Sequence, residues 1–208
     1  MTDFATGWDD LTLTHGRPAA LDFSADGRLF VANDNNGVVV QMPAVAPPGA
    51  ATLGGTIYFG INTQADNALG AAKLFTLDGE GTFVTTFAGA ALPSSFIDSG
   101  SNGYFFSTNS FPACSDAPSF YCPSAPVVES ATITGVNGAA QAVGFSIGNA
   151  DQLFNVDDTA YPDLGGTNGD FSGATGFDWG LPFFFGRSVY VLFEEQTLNG
   201  TAGPAVGF

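Results

Sequence analysis

The chain has 208 residues, which is enough for one sizeable domain or two small ones. Hydrophobic residues make up 45% and aromatic residues 13%, which excludes a disordered chain because so much apolar surface can form a core. Four lysines and arginines against 20 aspartates and glutamates give a formal charge of −16. This charge argues against nucleic acids and anionic membrane surfaces as partners, since both bind through basic residues.

The opening stretch, MTDFATGWDDLTLTHG, lacks the basic and apolar regions of a signal peptide. No apolar run in the sequence approaches the roughly 20 residues that cross a bilayer, so no membrane span is predicted. We therefore expect either a cytosolic protein or a chain that has lost its true N terminus.

The composition and the turn residues of the chain predict short strands. The 21 phenylalanines, 28 glycines and 12 prolines are typical of apolar strands separated by tight turns, so we predict a mostly β protein. Residues 18–42 (PAALDFSADGRLFVANDNNGVVVQM) predict a three-stranded meander with ADG and DNNG as its turns. Residues 43–51 (PAVAPPGAA) predict a connector, because proline cannot join a central strand. We predict one unit in residues 1–42 and a second in residues 43–208.

The second unit continues as strands and turns. TIYFGI predicts a strand, and AKLFTLD and TFVTTFAG predict a hairpin closed by GEG. SFIDSGSNGYFF, residues 95–106, predicts a strand followed by a turn, and ATITGVNGAAQAVGFSIGN predicts a second hairpin. Residues 155–176 are polar and rich in glycine, which predicts a long loop or lid. FDWGLPFFFGRSVYVLFEE and GPAVGF then predict an apolar turn and two closing strands.

The two cysteines, Cys114 and Cys122, lie in the loop-like stretch PACSDAPSFYCP. Their closeness and the absence of other thiols favour one local disulfide, and with it an oxidising compartment. A pair of reduced thiols is the alternative.

The inventory of reactive side chains excludes several kinds of site. His15, near the N terminus, is the single histidine, so no other imidazole could serve as the base of a nucleophilic triad. With one histidine and two cysteines, a His/Cys zinc site also lacks ligands. DSGSNG resembles an acidic calcium loop only in part. Gly100 occupies the position where that loop has an acidic or amide residue, and Asn109 occupies the position of its bidentate glutamate. We predict no metal and no cofactor, and any catalysis would be the work of carboxylates.

Asp98 is the candidate catalytic carboxylate. Phe96, Ile97, Asp98, Ser99, Gly100 and Ser101 form the stretch FIDSGS. It resembles the active-site motif of aspartic peptidases, which is two apolar residues and then Asp-Thr/Ser-Gly-Ser/Thr. The resemblance implies that a buried strand delivers Asp98 to a cleft, that Gly100 allows the tight turn, and that both serines hold the carboxylate by hydrogen bonds. The alternative is an aspartate that caps a turn in a β protein.

A second segment strengthens the resemblance. FDWGLPFFFGRSVYVLFEE is similar to the downstream apolar-apolar-Gly segment of a pepsin-like lobe, with Gly180 as its glycine. In such lobes this segment threads beside the catalytic loop. Asp178, which precedes Gly180, is interpreted as structural or as a loop cap.

Two wider resemblances divide the chain. Residues 34–208 resemble the C-terminal part of a bacterial family of exported proteins of unknown function, in stretches such as DNNGVVVQMPAV, FGINTQADN and FDWGLPFFFGR. This implies an exported protein, whether periplasmic, on the cell surface or secreted, whose relatives carry another Asp-Thr-Gly motif in an upstream lobe. Residues 4–37 instead resemble one blade of a sorbosone-dehydrogenase-like propeller, which implies a composite chain. One blade cannot close a propeller, so no sugar-dehydrogenase activity follows.

These resemblances imply one pepsin-like lobe, mostly β, preceded by a short β-meander. The expected activity is hydrolysis of a peptide bond by a water that Asp98 activates. This chemistry needs two carboxylates that share a proton, so a homodimer or a missing N-terminal lobe must supply the second, and a single chain is expected to be inactive. The alternative is a non-catalytic exported protein that binds a partner on the same scaffold.

Overall fold

The computed structural model describes residues 18–23, 29–33, 36–167 and 175–208. Most elements in these residues are strands. Strands β1 to β8 are Pro18–Phe23, Leu29–Asn33, Gly37–Gln41, Thr56–Phe59, Leu74–Thr76, Phe83–Phe87, Ala90–Ile97 and Tyr104–Phe106. Strands β9 to β16 are Val127–Thr134, Ala140–Ile147, Gly165–Gly166, Phe177–Trp179, Ser188–Leu192, Thr197–Leu198, Thr201–Ala202 and Ala205–Gly207. A one-turn helix, α1, spans Ala150–Leu153, and a 3₁₀ helix spans Leu181–Phe184.

Two sheets form the body of the described structure. The larger has seven strands in the order β10-β9-β6-β7-β12-β8-β11, and the smaller has five in the order β4-β3-β13-β16-β5. The main core cluster contains residues of both sheets, among them Phe83, Phe106 and Trp179 from the first and Phe75 and Val189 from the second. The two sheets therefore share one apolar core, and the prediction of a mostly β protein is confirmed.

Two predicted local pairings were wrong. The first pair of the predicted meander forms, because β1 and β2 pair antiparallel, but its third strand does not join them, because β3 pairs with β4 and β13 in the five-stranded sheet. The predicted hairpin at GEG does turn tightly, with the Asp78 N–H donating to the Thr82 carbonyl at 3.0 Å. Its two strands then diverge, β5 into the five-stranded sheet and β6 into the seven-stranded sheet. Which strand pairs with β5 or with β6 depends on how their apolar side chains are buried in the core, and the turn residues do not encode this.

One predicted hairpin formed as expected, and two predicted segments are described only in part. Strands β9 and β10 form the predicted hairpin in continuous register from Ala140 paired with Thr134 to Ile147 paired with Val127. Within the predicted propeller blade at 4–37 and the predicted loop at 155–176, residues 4–17, 24–28, 34–35 and 168–174 lie outside the described structure. His15 lies in the first of these gaps.

The predicted disulfide is present between Cys114 and Cys122. Cys114 is buried in a small cluster with Ala150, Leu153, Tyr161 and Leu164, so the bridge ties its loop to α1 and the segment that follows. None of the helices in the described part of the chain is long and apolar enough to span a membrane.

We expect reduction of this disulfide to lower the free energy of unfolding by about 2–3 kcal/mol, because the bridge restricts a short loop in the unfolded chain. Urea unfolding with and without a reducing agent measures the effect. The variant with both Cys114→Ala and Cys122→Ala should not respond to the reductant. An unfolding midpoint of the native chain that the reductant leaves unchanged would contradict the prediction.

Candidate active site

Strand β12 lies between the two strands that the Asp98 loop joins. It pairs in parallel with β7, where Asp178 faces Phe96 and Trp179 faces Ile97. On its other side it pairs antiparallel with β8, where Asp178 faces Phe105. The Asp98 N–H continues the parallel ladder by donating to the Trp179 carbonyl at 3.1 Å. The chain between β7 and β8 must therefore cross over the end of β12.

Two buried hydroxyl groups fix the position of β12. The Ser95 hydroxyl, which is fully buried on β7, accepts a hydrogen bond from the Phe177 N–H at 3.0 Å. The Trp179 indole N–H donates to the Thr85 hydroxyl on β6 at 2.9 Å, also in the core. Phe177 and Trp179 stack with ring centroids 4.2 Å apart. Because side chains alternate along a strand, Asp178 projects from the face opposite to these two rings.

Gly180 is the residue over which the loop crosses. A Cβ atom at this position would lie 2.1 Å from the Gly103 carbonyl oxygen and 2.7 Å from the Ser101 carbonyl oxygen. The next residue, Leu181, donates its N–H to the Ser101 carbonyl at 2.7 Å. Only glycine leaves room for this close approach of two backbones, and the approach holds the loop against β12.

The Asp98 carboxylate is held by its own loop. Its Oδ1 accepts the Gly100 N–H at 2.7 Å, and its Oδ2 lies 2.9 Å from the Ser101 hydroxyl oxygen. Asp98 is half-buried, while Ser99 and Gly100 are exposed. The carboxylate is thus oriented by two hydrogen bonds and remains partly open to solvent.

The structure brings a second carboxyl group to the same hydroxyl. Oδ2 of Asp178 lies 2.6 Å from Oγ of Ser101, 77 positions earlier in the chain. Asp178 is 6% exposed, and among the described residues its Oδ1 is buried without a hydrogen-bond partner. Burial raises the pKa of Asp178 to about 6, the Ser101 hydrogen bond opposes the rise, and the charge of Asp98 adds to it.

The structure places the predicted site residues in one region of the seven-stranded sheet. Phe96 and Ile97 end β7 and are half-buried, and Ser101 contacts both the Asp98 carboxylate and the Gly180 segment. Among the described residues, Ser101 donates a hydrogen bond to the Asp98 carboxylate and Ser99 does not, so only one of the two serines expected to hold this group does so. The catalytic roles of these residues stay predictions.

Asp178 is the site residue that the sequence interpretation missed. It lies inside a strand rather than at a loop, and it reaches the site through the pairing of β12 with β7. One signal in the sequence was available: in FDWG an acidic residue stands between two large aromatic residues, as expected for an unusual buried carboxylate.

One group of potential metal ligands occurs among the described residues, and it does not include Asp98. It consists of Cys114, Cys122 and Asp151, whose ligand atoms lie within 4.8 Å of one another. Both sulfur atoms are already joined in the disulfide, so they are not available as thiolate ligands.

The fold and the site together define an all-β protein with two carboxyl groups joined by one serine hydroxyl beside a strand crossing. The chain belongs to the DUF3443 family of proteins of unknown function, whose family model matches residues 29–208. No curated protein and no solved structure matches the chain.

Proposed function

We propose that the protein is a peptidase-like lobe in which Asp98 acts as the general base of peptide-bond hydrolysis. The observation that supports the proposal is the crossing of the Asp98 loop over β12 at Gly180. The sequence resemblance implies that the glycine segment threads beside the catalytic loop, and β12 lies between the two strands that this loop joins. We also propose that this lobe begins before residue 43, because β3 pairs inside its smaller sheet.

In this reaction Asp98 removes a proton from a bound water, and the resulting hydroxide attacks the carbonyl carbon of the peptide bond. A second carboxyl group donates a proton to the carbonyl oxygen. The C–N bond then breaks, the leaving nitrogen takes the proton that Asp98 removed from the water, and the second carboxyl group regains a proton from a hydroxyl of the intermediate, so that one amine and one acid product leave the site. Because like charges at short distance repel, such a pair holds one proton between its two members. The second group must therefore face the same water.

Asp178 does not meet this requirement, because it is 6% exposed and lies behind the Ser101 hydroxyl. We propose that a second copy of the chain supplies its own Asp98 across a two-fold axis. A two-fold axis makes the two carboxyl groups equivalent and places both on one water. A separate lobe with its own aspartate is the other source of the second group.

The Cys114–Cys122 disulfide supports a location outside the cytoplasm, because disulfides persist in oxidising compartments. We propose on this basis that the protein is exported. Alkylation of free thiols in intact producing cells tests this proposal, since an exported chain should leave both cysteines unlabelled. Labelled cysteines in the folded chain would contradict it.

Hydrolysis is tested by incubating the purified chain with a denatured, disulfide-free protein substrate from pH 3 to pH 8. We expect cleavage at acid pH and a loss of about 10²–10⁴-fold in the Asp98→Asn variant, because a general base contributes this much to the rate. Asp116→Asn is the matched control, since it makes the same change of side chain at an exposed loop aspartate outside the site. No cleavage by the native chain at any concentration would overturn the dimeric peptidase and favour the non-catalytic binding protein.

Mixing the native chain with Asp98→Asn tests where the second carboxyl group comes from. At equal amounts and after exchange of partners, about a quarter of two-fold dimers carry two native chains. A rate near a quarter of the fully native rate supports a shared site. A rate near one half would show that each chain works alone and would overturn the two-fold arrangement.

A further inference from the structure

The Ser101 hydroxyl lies between two acceptors that it cannot serve at once. Its oxygen is 2.9 Å from Oδ2 of Asp98 and 2.6 Å from Oδ2 of Asp178. A serine hydroxyl has one hydrogen to donate, although its oxygen can also accept. If both carboxyl groups were ionised, one of these two short contacts would join two oxygen atoms with no hydrogen between them. Both contacts are hydrogen bonds only if one carboxyl group carries a proton.

Three observations place this proton on Asp178. Asp178 is 6% exposed, whereas Asp98 is half-buried and also accepts the Gly100 N–H at 2.7 Å. The second oxygen of Asp178, Oδ1, is buried with no partner among the described residues. An ionised carboxylate with an unpartnered buried oxygen is costly, and protonation removes most of that cost.

The two strands that flank Asp178 carry no positive side chain that would offset the charge of its ionised form. Strand β7, which carries Phe96 beside it, has no ionisable side chain, and β8 carries only Tyr104. Burial raises the pKa of Tyr104 to about 12, so this phenol is neutral across the physiological range. The groups that act on the pKa of Asp178 are Ser101 and Asp98, together with burial. The charge that Asp178 experiences is therefore the negative charge of Asp98.

We propose that Asp178, Ser101 and Asp98 form a proton relay in which the Asp178 carboxyl group donates to the Ser101 hydroxyl and this hydroxyl donates to the Asp98 carboxylate. In this state the Asp98 carboxylate keeps two hydrogen-bond donors, the Gly100 N–H and the Ser101 hydroxyl. When Asp178 loses its proton, the single serine hydrogen is divided between two carboxylates. The Asp98 carboxylate then loses part of its support and has a second negative charge nearby. Asp178 is in this sense a positioning residue that acts through Ser101.

The consequence for activity rests on the proposed function. If Asp98 is the general base, its orientation is complete only while Asp178 is protonated, and hydrolysis is favoured on the acid side of about pH 6. The relay itself does not depend on hydrolysis, because it concerns only the proton that Asp178 carries in the folded chain.

The test is a titration of the whole chain labelled with ¹³C at the aspartate carboxyl groups and followed by NMR from pH 3 to pH 8. We expect the Asp178 resonance to titrate near pH 6, and we expect the chemical shift of the Asp98 carboxyl carbon to respond to that event, because the Ser101 hydroxyl joins the two groups. Asp98→Asn should lower the Asp178 midpoint, because a neighbouring negative charge is removed.

Further variants separate a relay from a merely structural contact. Ser101→Thr keeps a hydroxyl and should retain the response of the Asp98 chemical shift to the Asp178 titration, whereas Ser101→Ala should abolish this response. Ser99→Ala, at the exposed neighbouring serine, should leave the Asp178 midpoint and the response of Asp98 to it unchanged. An Asp178 midpoint near pH 4 in the native chain would overturn the proposal, and so would a Ser101→Ala variant in which the Asp98 chemical shift still responds to the Asp178 titration. Because no substrate is used, failure of this test is distinct from failure of the hydrolysis assay.

Discussion

Gly180→Ala is expected to destabilise the fold by about 3 kcal/mol, because a methyl group there meets backbone atoms that cannot rotate away. The added Cβ would lie 2.1 Å from the Gly103 carbonyl oxygen and 2.7 Å from that of Ser101. Relief of these contacts moves the Asp98 loop away from β12. This movement breaks the hydrogen bond from the Leu181 N–H to the Ser101 carbonyl. Urea unfolding at fixed pH measures the change in the free energy of unfolding.

Gly54→Ala is the matched control for this substitution. An added Cβ at Gly54 meets no heavy atom within 4 Å, so we expect a change within about 0.5 kcal/mol. Equal stability of the Gly180→Ala and Gly54→Ala variants would contradict the close crossing of the loop over β12. If Gly180→Ala does not accumulate as folded protein while Gly54→Ala does, the prediction holds in its stronger form.

Asp178→Asn is expected to stabilise the folded chain above pH 6 by up to about 3 kcal/mol. The pKa of Asp178 is raised to about 6 in the folded chain, from 3.8 for a free aspartate, and each pKa unit corresponds to about 1.4 kcal/mol. A raised pKa means that the folded state is favoured when the group is protonated. The stability linked to Asp178 is therefore fully present below about pH 4 and is lost as the pH rises to about 6.

Asparagine has the shape of the protonated acid and keeps a donor for the Ser101 hydroxyl, so it avoids this loss. Urea unfolding at pH 3.5 and pH 7.5 should show a variant that is close to the native chain at the lower pH and more stable at the higher pH. Asp116→Asn, at an exposed loop aspartate, makes the same change in net charge and serves as the control. A stability gain that is equal at both pH values, or equal in the control, would contradict the prediction.

The candidate site shows which part of a site a local motif can predict. FIDSGS places a half-buried aspartate after a strand, with a glycine N–H and a serine hydroxyl on its carboxylate, and these contacts span at most three positions. The contact of Ser101 with Asp178 spans 77 positions and depends on β12 entering the sheet between β7 and β8. The local sequence is enough to predict the contacts of Asp98 with Gly100 and Ser101. The contact of Ser101 with Asp178 forms only when the whole sheet is assembled.

The sequence by itself determined the mostly β character, the hairpin of β9 and β10, and the disulfide, since each depends on residues close together in the chain. Tertiary structure decided that β3 leaves the front meander, that β5 and β6 enter different sheets, and that Asp178 meets Ser101. The physical reason is that a turn sets the direction of the next strand only over a few residues. The neighbour of a strand in a sheet is instead chosen by how the whole chain buries its apolar faces, and that choice also positions the second carboxyl group.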